Sequence, residues 1–242
     1  MGKKPKILFW DIETSPIVTT AWGLGQTYST IDNLLEDWYI ICACWKYAGS
    51  KKVHAARMTK PGDDYALVKE VRDVLAGADL VVHHYGDAFD LKKFNARLII
   101  HGLPPLPHIT TVDTKKAVAK VAAMTSNKLE YLAKKVTGEG KIKTDYSLWL
   151  KCRKGDRSAL NEMIAYNKKD VIKLEEWYNY LRPYIKNHPH IWAKYEDRFS
   201  TCSNCGSTNL KRNGIRVTAA GIKKQEVQCK DCGHYHRIPV KN

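Results

Sequence analysis

The stretch KILFWDIE, residues 6–13, is the part of the chain that decides the fold. Its apolar run predicts a buried β-strand, which we place over residues 6–11. Side chains alternate between the two faces of a strand, so Asp11 and Glu13 point the same way. Two carboxylates on one face repel each other and lose hydration, and a divalent cation with oxygen ligands resolves that conflict. A solvated strand end with two acids of no special role explains the same short pattern.

Strands and helices succeed one another along the first 186 residues. The patterns predict strands over 39–47, 51–58, 79–85 and 109–112, and helices over 64–76, 89–102, 114–124, 128–137 and 156–184. This order predicts an α/β domain in which three antiparallel strands are extended by parallel ones. We expect residues 1–186 to form this domain, residues 187–200 a linker and residues 201–242 a small second domain.

Composition and charge narrow the class of partner. The chain has 242 residues, 44% hydrophobic and 27% charged, as in ordinary soluble globular proteins. No apolar run approaches the roughly 20 residues of a membrane span. The short run after the basic N-terminus does not fit a secretory signal, so we expect a cytoplasmic protein. The formal net charge of +15 and the isoelectric point of about 9.4 favour a polyanionic partner, with nucleic acid the leading candidate.

Three further side chains lie in patterns that fit the same metal chemistry. Asp90 closes the segment HHYGDAFD, residues 83–90, at the start of a predicted helix, where a carboxylate also serves as a helix cap. Tyr166 and Asp170 are four residues apart on the long predicted helix and therefore share a face. Neighbouring Asn and Lys residues leave an ordinary polar helix face as the alternative for that pair.

The three acidic segments together resemble the DEDD (DnaQ-like) exonuclease superfamily. Its motifs are matched in order by DIETSP from Asp11, HHYGDAFD ending at Asp90, and YNKKD from Tyr166 to Asp170. The resemblance covers residues 6–185 and implies a ribonuclease H-like mixed sheet flanked by helices. The tyrosine four residues before the last aspartate implies the tyrosine subtype, because the histidine subtype carries histidine one position earlier.

The resemblance also implies a role for each of the five residues in the cleavage of phosphodiester bonds. It implies that Asp11 bridges two divalent ions, Mg²⁺ or Mn²⁺, and that Glu13 and Asp170 complete the site of the ion that activates water. Asp90 is implied to hold the second ion, and Tyr166 to orient the attacking water. The implied products are nucleoside 5′-monophosphates released from a 3′ end.

One position departs from the family pattern. Tyr85 stands where the second motif usually has asparagine after its histidine. Asp87 lies in the same motif and is a second candidate acid. We prefer Asp90 because it follows Phe89, as in the family's Phe-Asp pair, and leave Asp87 an assisting or substrate-contacting role.

The seven cysteines fall into two groups. Cys42, Cys44 and Cys152 are scattered, and the apolar setting of the first two predicts buried thiols. The other four form two Cys-x-x-Cys-Gly segments separated by 23 residues: Cys202, Cys205, Cys229 and Cys232. In a reducing compartment this spacing predicts a tetrahedral zinc site, which is structural because all four ligand positions are filled. The segment resembles a zinc ribbon.

The C-terminal segment also carries positive charge. Residues 201–242 hold eight basic and two acidic side chains, which predicts a grip on nucleic acid; a docking surface for a replication or repair protein is the alternative. In the insertion after the first strand, Trp22 and Tyr28 either stack on bases or cover the sheet. The candidate substrate-binding residues are Trp22, Lys211, Arg212, Lys223, Lys224 and Arg237.

These patterns lead to three interpretations of function. The first is an exonuclease that removes nucleotides from the 3′ end of DNA, with single-stranded ends preferred. The second is the same site acting on RNA, because none of the motifs detects a 2′-hydroxyl. The third is a nucleic-acid-binding protein with inactive acids, and the complete set of acids argues against it.

Overall fold

The computed structural model describes residues 4–23, 25, 29–138 and 145–240. Within them the strands are β1 (Ile7–Thr14), β2 (Val18–Thr19), β3 (Leu34–Glu36), β4 (Ile40–Tyr47), β5 (His54–Arg57), β6 (Leu80–His83), β7 (Thr111–Asp113), β8 (Leu210–Val217), β9 (Lys223–Cys229) and β10 (Tyr235–Pro239). The α-helices are α1 (Tyr65–Ala76), α2 (Asp90–Ile100), α3 (Thr114–Val121), α4 (Leu129–Thr137), α5 (Tyr146–Arg153) and α6 (Arg157–Leu181). Short 3₁₀ turns lie at Ile31–Asn33, Arg182–Tyr184 and Ile191–Lys194.

The main sheet has the strand order β5-β4-β1-β6-β7. Its central strand, β1, is antiparallel to β4 and parallel to β6, while β5 and β7 continue the two patterns outward. The predicted mixed sheet is therefore confirmed. β1 pairs with β6 only from Ile7 to Phe9 but with β4 as far as Thr14. Its carboxyl end consequently projects beyond β6, at the edge where the parallel strands end.

Helices cover both faces of this sheet, and alternate residues of β1 belong to different cores. Phe9 packs with α3, α4 and α6, and its ring meets that of Tyr178 edge-on at 5.4 Å. Trp10 packs with α1 and α2, and its ring meets that of Phe94 at 5.7 Å. Burying a side chain of this size stabilises the fold by about 1.5–3 kcal/mol. Because Phe9 faces α6, strand alternation turns Asp11 toward the same helix.

The insertion after β1 forms a short hairpin of β2 and β3. Arg153, buried at the end of α5, holds this hairpin: it donates hydrogen bonds to Ser15 Oγ at 3.1 Å and to Glu36 Oε2 at 2.6 Å. The sequence patterns did not predict α5. Asp145 caps the helix by accepting a backbone N–H two residues on, which is the signal that a closer search for caps would have found.

The C-terminal sheet, in the order β10-β9-β8, is docked against the main domain. His234 donates its Nδ1 proton to the carbonyl of Pro183 at 2.9 Å, and Trp192 donates its indole N–H to the carbonyl of Asn204 at 3.3 Å. Gly206 has a φ of +77° and lies against the Trp192 ring, where a Cβ atom would meet Cδ2 at 2.3 Å. Only glycine satisfies both constraints.

The docked sheet lies at the amino end of β1. Asp79, just before β6, accepts hydrogen bonds from the backbone of Lys6 at 2.8 Å and from Tyr195 at 2.8 Å, and pairs with Lys194 at 2.5 Å. A cavity of about 560 Å³ is bordered by Cys205 from the C-terminal segment and by Lys4, which precedes β1. The acids are at the other end of β1, roughly 20 Å away at about 3.3 Å per residue.

Most predicted elements are present, with shorter ends. The long predicted helix gives way to a 3₁₀ turn at Arg182–Tyr184, where Pro183 cannot supply a helical N–H. Residues 187–200, the predicted linker, contain another 3₁₀ turn with a buried Ile191. Cys42 and Cys44 are buried as predicted, and Cys152 is buried as well. In the described part of the chain no helix is both long and apolar enough to cross a membrane.

Candidate active site and thiol cluster

The projecting end of β1 carries the first two predicted site residues. Asp11 lies opposite Cys44 of β4 and Glu13 opposite Cys42, beyond the last β6 pair, and both acids are partly buried. They flank Ile12, whose side chain lies in the opposite core. The predicted shared face of Asp11 and Glu13 is therefore the face covered by α6.

Helix α6 brings the third acid to this face. One carboxylate oxygen from each of Asp11, Glu13 and Asp170 lies within 4.8 Å of the others. We call these three residues the carboxylate cluster. Tyr166, one turn earlier on α6, is 6% exposed, and both Asp170 and Glu13 affect its ionisation. The two residues of the third segment thus share a face, as predicted.

Asp90 stands beside the carboxylate cluster. It is the first residue of α2 and is buried, and its Oδ1 accepts the backbone N–H of Ile12 at 3.4 Å. The N-cap of α2 is Phe89, and the Asp90 carboxylate also accepts its own backbone N–H, so a part in capping the helix stands beside its place near the acids. Burial raises the pKa of Asp90 to about 6.

Burial and electrostatic repulsion both act on the carboxylates at this end of the sheet. Burial raises the pKa of Asp11 well above its usual range, and the charges of Asp90, Glu13 and Asp170 raise it further. Hard oxygen donors this close together fit Mg²⁺ or Mn²⁺, since a divalent cation removes the cause of the raised pKa. The residues present are thus a suitable donor set for such ions.

Two residues that the sequence patterns missed hold the acids in place. Asn167, completely buried on α6, donates from Nδ2 to Asp11 Oδ2 at 2.6 Å. Trp149 of α5 donates its indole N–H to Glu13 Oε2 at 3.2 Å. Its ring also packs edge-on against Tyr166 at 6.0 Å. Asn167 was interpreted as part of a polar helix face, and its full burial is visible only in the fold.

Asp87, the second candidate acid, belongs to a different group. One ligand atom from each of His83, Asp87 and Asp113 lies within 4.8 Å of the others. Trp10 donates its indole N–H to His83 Nδ1 at 3.4 Å, so the ring proton sits on Nε2 and bonds to Asp87 Oδ1 at 2.8 Å. A metal-bound histidine needs the reverse, a free Nε2 and an acceptor beside Nδ1. Lys116 pairs with the second oxygen of Asp87 at 3.0 Å, so this group is a hydrogen-bonded support of the loop.

The loop between β6 and α2 presents two aromatic rings beside Asp90. Tyr85 is 46% exposed and Phe89 is 42% exposed. Tyr85 has a φ of +69°, a left-handed conformation that costs a non-glycine residue roughly 1–2 kcal/mol. Lys115 places its ammonium 3.8 Å from the Tyr85 ring centroid. Residues in strained backbone conformations are found mostly at functional sites, where the surrounding structure holds them in place.

The candidate substrate-binding residues fall in two distant places. Trp22 is 98% exposed, so it does not cover the sheet, and Tyr28 lies outside the described residues. The five basic candidates lie on the C-terminal sheet, at the opposite end of β1 from the carboxylate cluster: Lys211, Arg212, Lys223, Lys224 and Arg237.

Four cysteines of the C-terminal sheet form a second cluster, which we call the thiol cluster. The ligand atoms of Cys202, Cys205, Cys229 and Cys232 lie within 4.8 Å of one another. The sulfurs of Cys202 and Cys232 are 3.7 Å apart and those of Cys205 and Cys229 are 3.6 Å apart, far beyond a disulfide bond. Tetrahedral coordination with Zn–S bonds of about 2.3 Å separates sulfurs by about 3.8 Å. The sulfur positions therefore suit such an ion.

Comparison with solved structures finds this fold at low sequence identity. The family B DNA polymerase of the hyperthermophilic archaeon Pyrobaculum calidifontis matches with a TM-score of 0.55 and 14% identity. The match covers 75% of this chain and 25% of the polymerase chain, and at this identity it shows likeness of fold alone. No curated protein sequence matches the chain.

The family comparison covers most of the chain. The sequence model RNase_H_2, of the RNase_H superfamily, matches residues 8–182. This range runs from β1 into the turn after α6 and includes the carboxylate cluster, Asp90 and Tyr166. The matched range contains the mixed sheet, with the acids at the carboxyl end of its central strand. On this evidence of sequence and fold, the chain belongs to the RNase_H superfamily.

Proposed function

We propose that the protein is a 3′–5′ exonuclease of the DEDD type, tyrosine subtype, that depends on two divalent metal ions. The observation that carries the proposal is the meeting of Asp11, Glu13 and Asp170 within 4.8 Å. Asp90 also supports it, because its carboxylate accepts the backbone N–H of Ile12, the residue between Asp11 and Glu13. Membership of the RNase_H superfamily supports a nuclease. The direction of digestion and the substrate are part of the proposal.

Four carboxylates divide the metal-holding work in this proposal. Asp11, Glu13 and Asp170 would hold one Mg²⁺ or Mn²⁺ ion, and Asp11 and Asp90 a second. Such a pair supplies activation of the attacking water and stabilisation of the leaving oxygen. Asn167 fixes the orientation of Asp11 through the 2.6 Å hydrogen bond, so this carboxylate is already oriented before the substrate binds.

Tyr166 contributes as a hydrogen-bond donor. Burial raises its pKa far above the usual range, and the charges of Asp170 and Glu13 raise it further. The phenol therefore keeps its proton at neutral pH and orients the attacking water. It does not act as the general base. The packing of Trp149 against its ring limits the directions in which the hydroxyl can point.

The substrate we propose is the single-stranded 3′ end of DNA. Exposed aromatic rings at Tyr85, Phe89 and Trp22 suit stacking on unpaired bases, which is tolerant of sequence. The net charge of +15 suits a polyanion. Among solved structures of this fold is a DNA polymerase, which favours DNA over RNA.

For the C-terminal segment we propose a zinc ribbon that holds one structural Zn²⁺ through the thiol cluster. The sulfur separations of 3.6 and 3.7 Å support this, because they match tetrahedral coordination. Gly206 and Gly233 follow the second cysteine of each pair with φ near +77°, in turns that only glycine adopts without strain. The proposed domains are residues 1–186 and 201–242, joined by 187–200.

Digestion of end-labelled oligonucleotides tests the proposal. A 5′-labelled single strand should shorten one nucleotide at a time, and a 3′-labelled strand should release only a labelled mononucleotide. Mg²⁺ or Mn²⁺ should support the reaction and EDTA should stop it, since the carboxylate cluster requires a cation. Parallel assays on duplex DNA and RNA decide the substrate. Activity that survives EDTA, or an internal cleavage ladder, would exclude the proposed chemistry.

Matched variants test which acids act. Asp170→Ala should lower the rate by about 1000-fold or more while the protein remains folded, because an essential metal ligand is lost. Asp90→Asn should lower the rate far more than Asp87→Asn, because the carboxylate of Asp87 is already bound by His83 and Lys116. Circular dichroism and melting temperature control for folding. The reverse ranking would move the fourth ligand to Asp87.

A further inference from the structure

The register of the C-terminal sheet separates its side chains into two faces. Gln228 of β9 lies between Lys211 of β8 and Tyr235 of β10, and Glu226 lies opposite Arg237, all on one face by alternation. Arg216 shows that it shares this face by pairing with Glu226 at 3.2 Å. We define the outer face by its basic and aromatic residues: Lys211, Arg216, Lys224, Tyr235 and Arg237.

The opposite face, which we call the inner face, is occupied by the protein itself. Val227 and Ile238 are buried there, and His236 lies with its ring centroid 6.5 Å from that of His190. A cavity of about 310 Å³ between this face and Phe199 is bordered by Arg212. The inner face is therefore covered where β9 and β10 meet, while its positions Ile215 and Val217 on β8 are exposed but apolar.

The outer face is exposed and strongly positive. Lys211, Arg216 and Arg237 are exposed, and Lys224 is partly so. Its single acid, Glu226, lies 3.2 Å from Arg216 and 3.9 Å from Arg237, which leaves the two lysines without a carboxylate on this face. An excess of cations spread over a three-stranded sheet matches the repeating phosphates of a nucleic-acid strand.

Tyr235 adds a second kind of contact to this charge. Its side chain is 52% exposed in the row formed with Gln228 and Lys211. Exposed aromatic rings on a basic sheet are the means by which single strands are held without regard to sequence, since every base has a face that can stack.

We infer that the outer face is a second binding site for the nucleic-acid strand, separate from the carboxylate cluster. The inference rests on the proposed function for the identity of the substrate. The end of the C-terminal segment that carries Cys205 and Cys232 shares a cavity with Lys4, just before β1, and β1 itself spans roughly 20 Å from there to the acids. At about 3.4 Å per stacked nucleotide, a strand needs roughly six nucleotides to cover that distance. The face therefore holds the strand upstream of the 3′ end.

The two faces supply a matched comparison. Of the basic residues nominated by the sequence, Lys211, Lys224 and Arg237 lie on the outer face, while Arg212 and Lys223 fall on the inner side by alternation. The pair Lys211→Gln/Arg237→Gln and the pair Arg212→Gln/Lys223→Gln each remove two charges from the same small sheet. They differ only in the face from which the charges are removed.

Binding of single-stranded DNA tests the inference in the full-length, zinc-loaded protein. All variants carry Asp170→Ala so that the probe is not digested, and fluorescence anisotropy measures affinity for a 5-mer and a 30-mer. The outer-face pair should weaken binding of the 30-mer by about 10-fold and lower the salt slope by about 1.4, at about 0.7 per phosphate contact. The inner-face pair should change that affinity by less than about twofold. Zinc content confirms that both pairs are folded.

Tyr235 variants separate stacking from charge. Tyr235→Leu should weaken binding of the 30-mer by about 5-fold or more, and Tyr235→Phe should restore it, because stacking needs the ring. A 5-mer is too short to contact the acids and the outer face at once, so its binding should fall by no more than that of the 30-mer.

The outcomes distinguish this inference from the proposed function. Equal losses in the two charge pairs, or no loss in the outer-face pair, would overturn the outer face as a binding site. Failure of the unmutated protein to digest any strand, combined with the expected pattern of affinities, would instead overturn the exonuclease and leave the binding site standing.

Discussion

At the carboxyl end of β1 the fold gathers carboxylates that repel one another, whereas near the amino end it docks four thiols in a complementary arrangement. Burial and the charges of its neighbours raise the pKa of Asp11. In the thiol cluster the pKa values move in both directions: the hydrogen bond from Cys202 lowers the pKa of Cys205, whereas the pKa of Cys202 is raised by its bond to Cys205 and that of Cys232 by burial. Both clusters fit a cation, and they differ in the donor atoms they offer, which are hard carboxylate oxygens in the first and soft sulfurs in the second.

The two clusters differ in their relation to stability. The fold holds the carboxylate cluster in place, whereas we expect the metal bound by the thiol cluster to hold its own small domain together. The carboxylate cluster is assembled by β1 and α6, which are anchored in a large core around Phe9. The thiol cluster lies in a sheet with few buried apolar residues, among them Val227 and Ile238. A small domain of this kind depends on its metal for stability. Loss of a ligand should therefore abolish activity in the first cluster and folding in the second.

The largest expected effect comes from the thiol cluster. Cys229→Ser should release the zinc and unfold residues 201–240, because zinc binding supplies about 10–16 kcal/mol to domains of this kind. Zinc content by mass spectrometry and limited proteolysis of the C-terminal segment measure the change. Cys152→Ala is the control, since Cys152 is buried outside the cluster and the variant should keep its zinc. A folded, protease-resistant C-terminal sheet without zinc would contradict the comparison.

Asp64 is a useful contrast to the carboxylate cluster, because the positively charged partner of this buried carboxylate is a side chain of the same protein. It is fully buried and accepts from Arg97 at 2.8 and 2.7 Å. Burial raises its pKa, but the bonds from Arg97 and the Ile40 backbone outweigh this, so the pKa is lowered. Asp64→Asn should destabilise the fold by about 3–5 kcal/mol in urea unfolding, because Arg97 loses its partner. Asp73→Asn, at an exposed ion pair with Arg72, should cost under about 1 kcal/mol.

The same carboxylate predicts part of the response to acid. Because the pKa of Asp64 is lowered by folding, its contribution is complete above the ordinary carboxyl pKa of about 3.9. The contribution is lost as the pH falls through the lowered value. The difference in unfolding free energy between the native protein and Asp64→Asn should therefore shrink below about pH 4. A difference that does not change with pH would show that the native carboxylate gains nothing from its ionisation.

Tyr166 distinguishes a ligand from an orienting group within the first cluster. Tyr166→Phe should lower the rate by about 10- to 100-fold, because a hydrogen bond to the attacking water is lost while all carboxylates remain. The concentration of Mg²⁺ needed for half the maximal rate should stay within about twofold. Titration of activity with metal measures both quantities. A large increase in the metal requirement would identify Tyr166 as part of the metal site.

The smallest expected effect is a gain of stability in the carboxylate cluster. Asp11→Asn should raise the melting temperature by about 2–4 °C at neutral pH in EDTA, because a repelling charge is removed. Mg²⁺ should stabilise the unmutated protein but not the variant, since binding to the folded state raises stability. Asp32→Asn, an acid in the 3₁₀ turn of the insertion, is the control and should leave the melting temperature unchanged. A lower melting temperature for Asp11→Asn would show that repulsion is not the dominant force here.

The sequence by itself determined the features that depend on residue type and on short spacings along the chain. Alternation along β1 predicted that Asp11 and Glu13 share a face, and the helical period predicted the same for Tyr166 and Asp170. The duplicated Cys-x-x-Cys-Gly segment predicted the thiol cluster, because its ligands are fixed by short turns. These predictions depend on neighbours within a few residues, so no knowledge of the fold was required.

Only the tertiary structure decided which distant groups meet. Asn167 looked like one polar residue among lysines, and it is the packing of α6 on β1 that buries it against Asp11. Trp149 reaches Glu13 from a helix that the periodicity did not reveal. The docking of the C-terminal sheet at the amino end of β1 likewise arises from contacts such as that of His234 with Pro183. Burial and long-range hydrogen bonds depend on packing between elements, and no local pattern of residues encodes them.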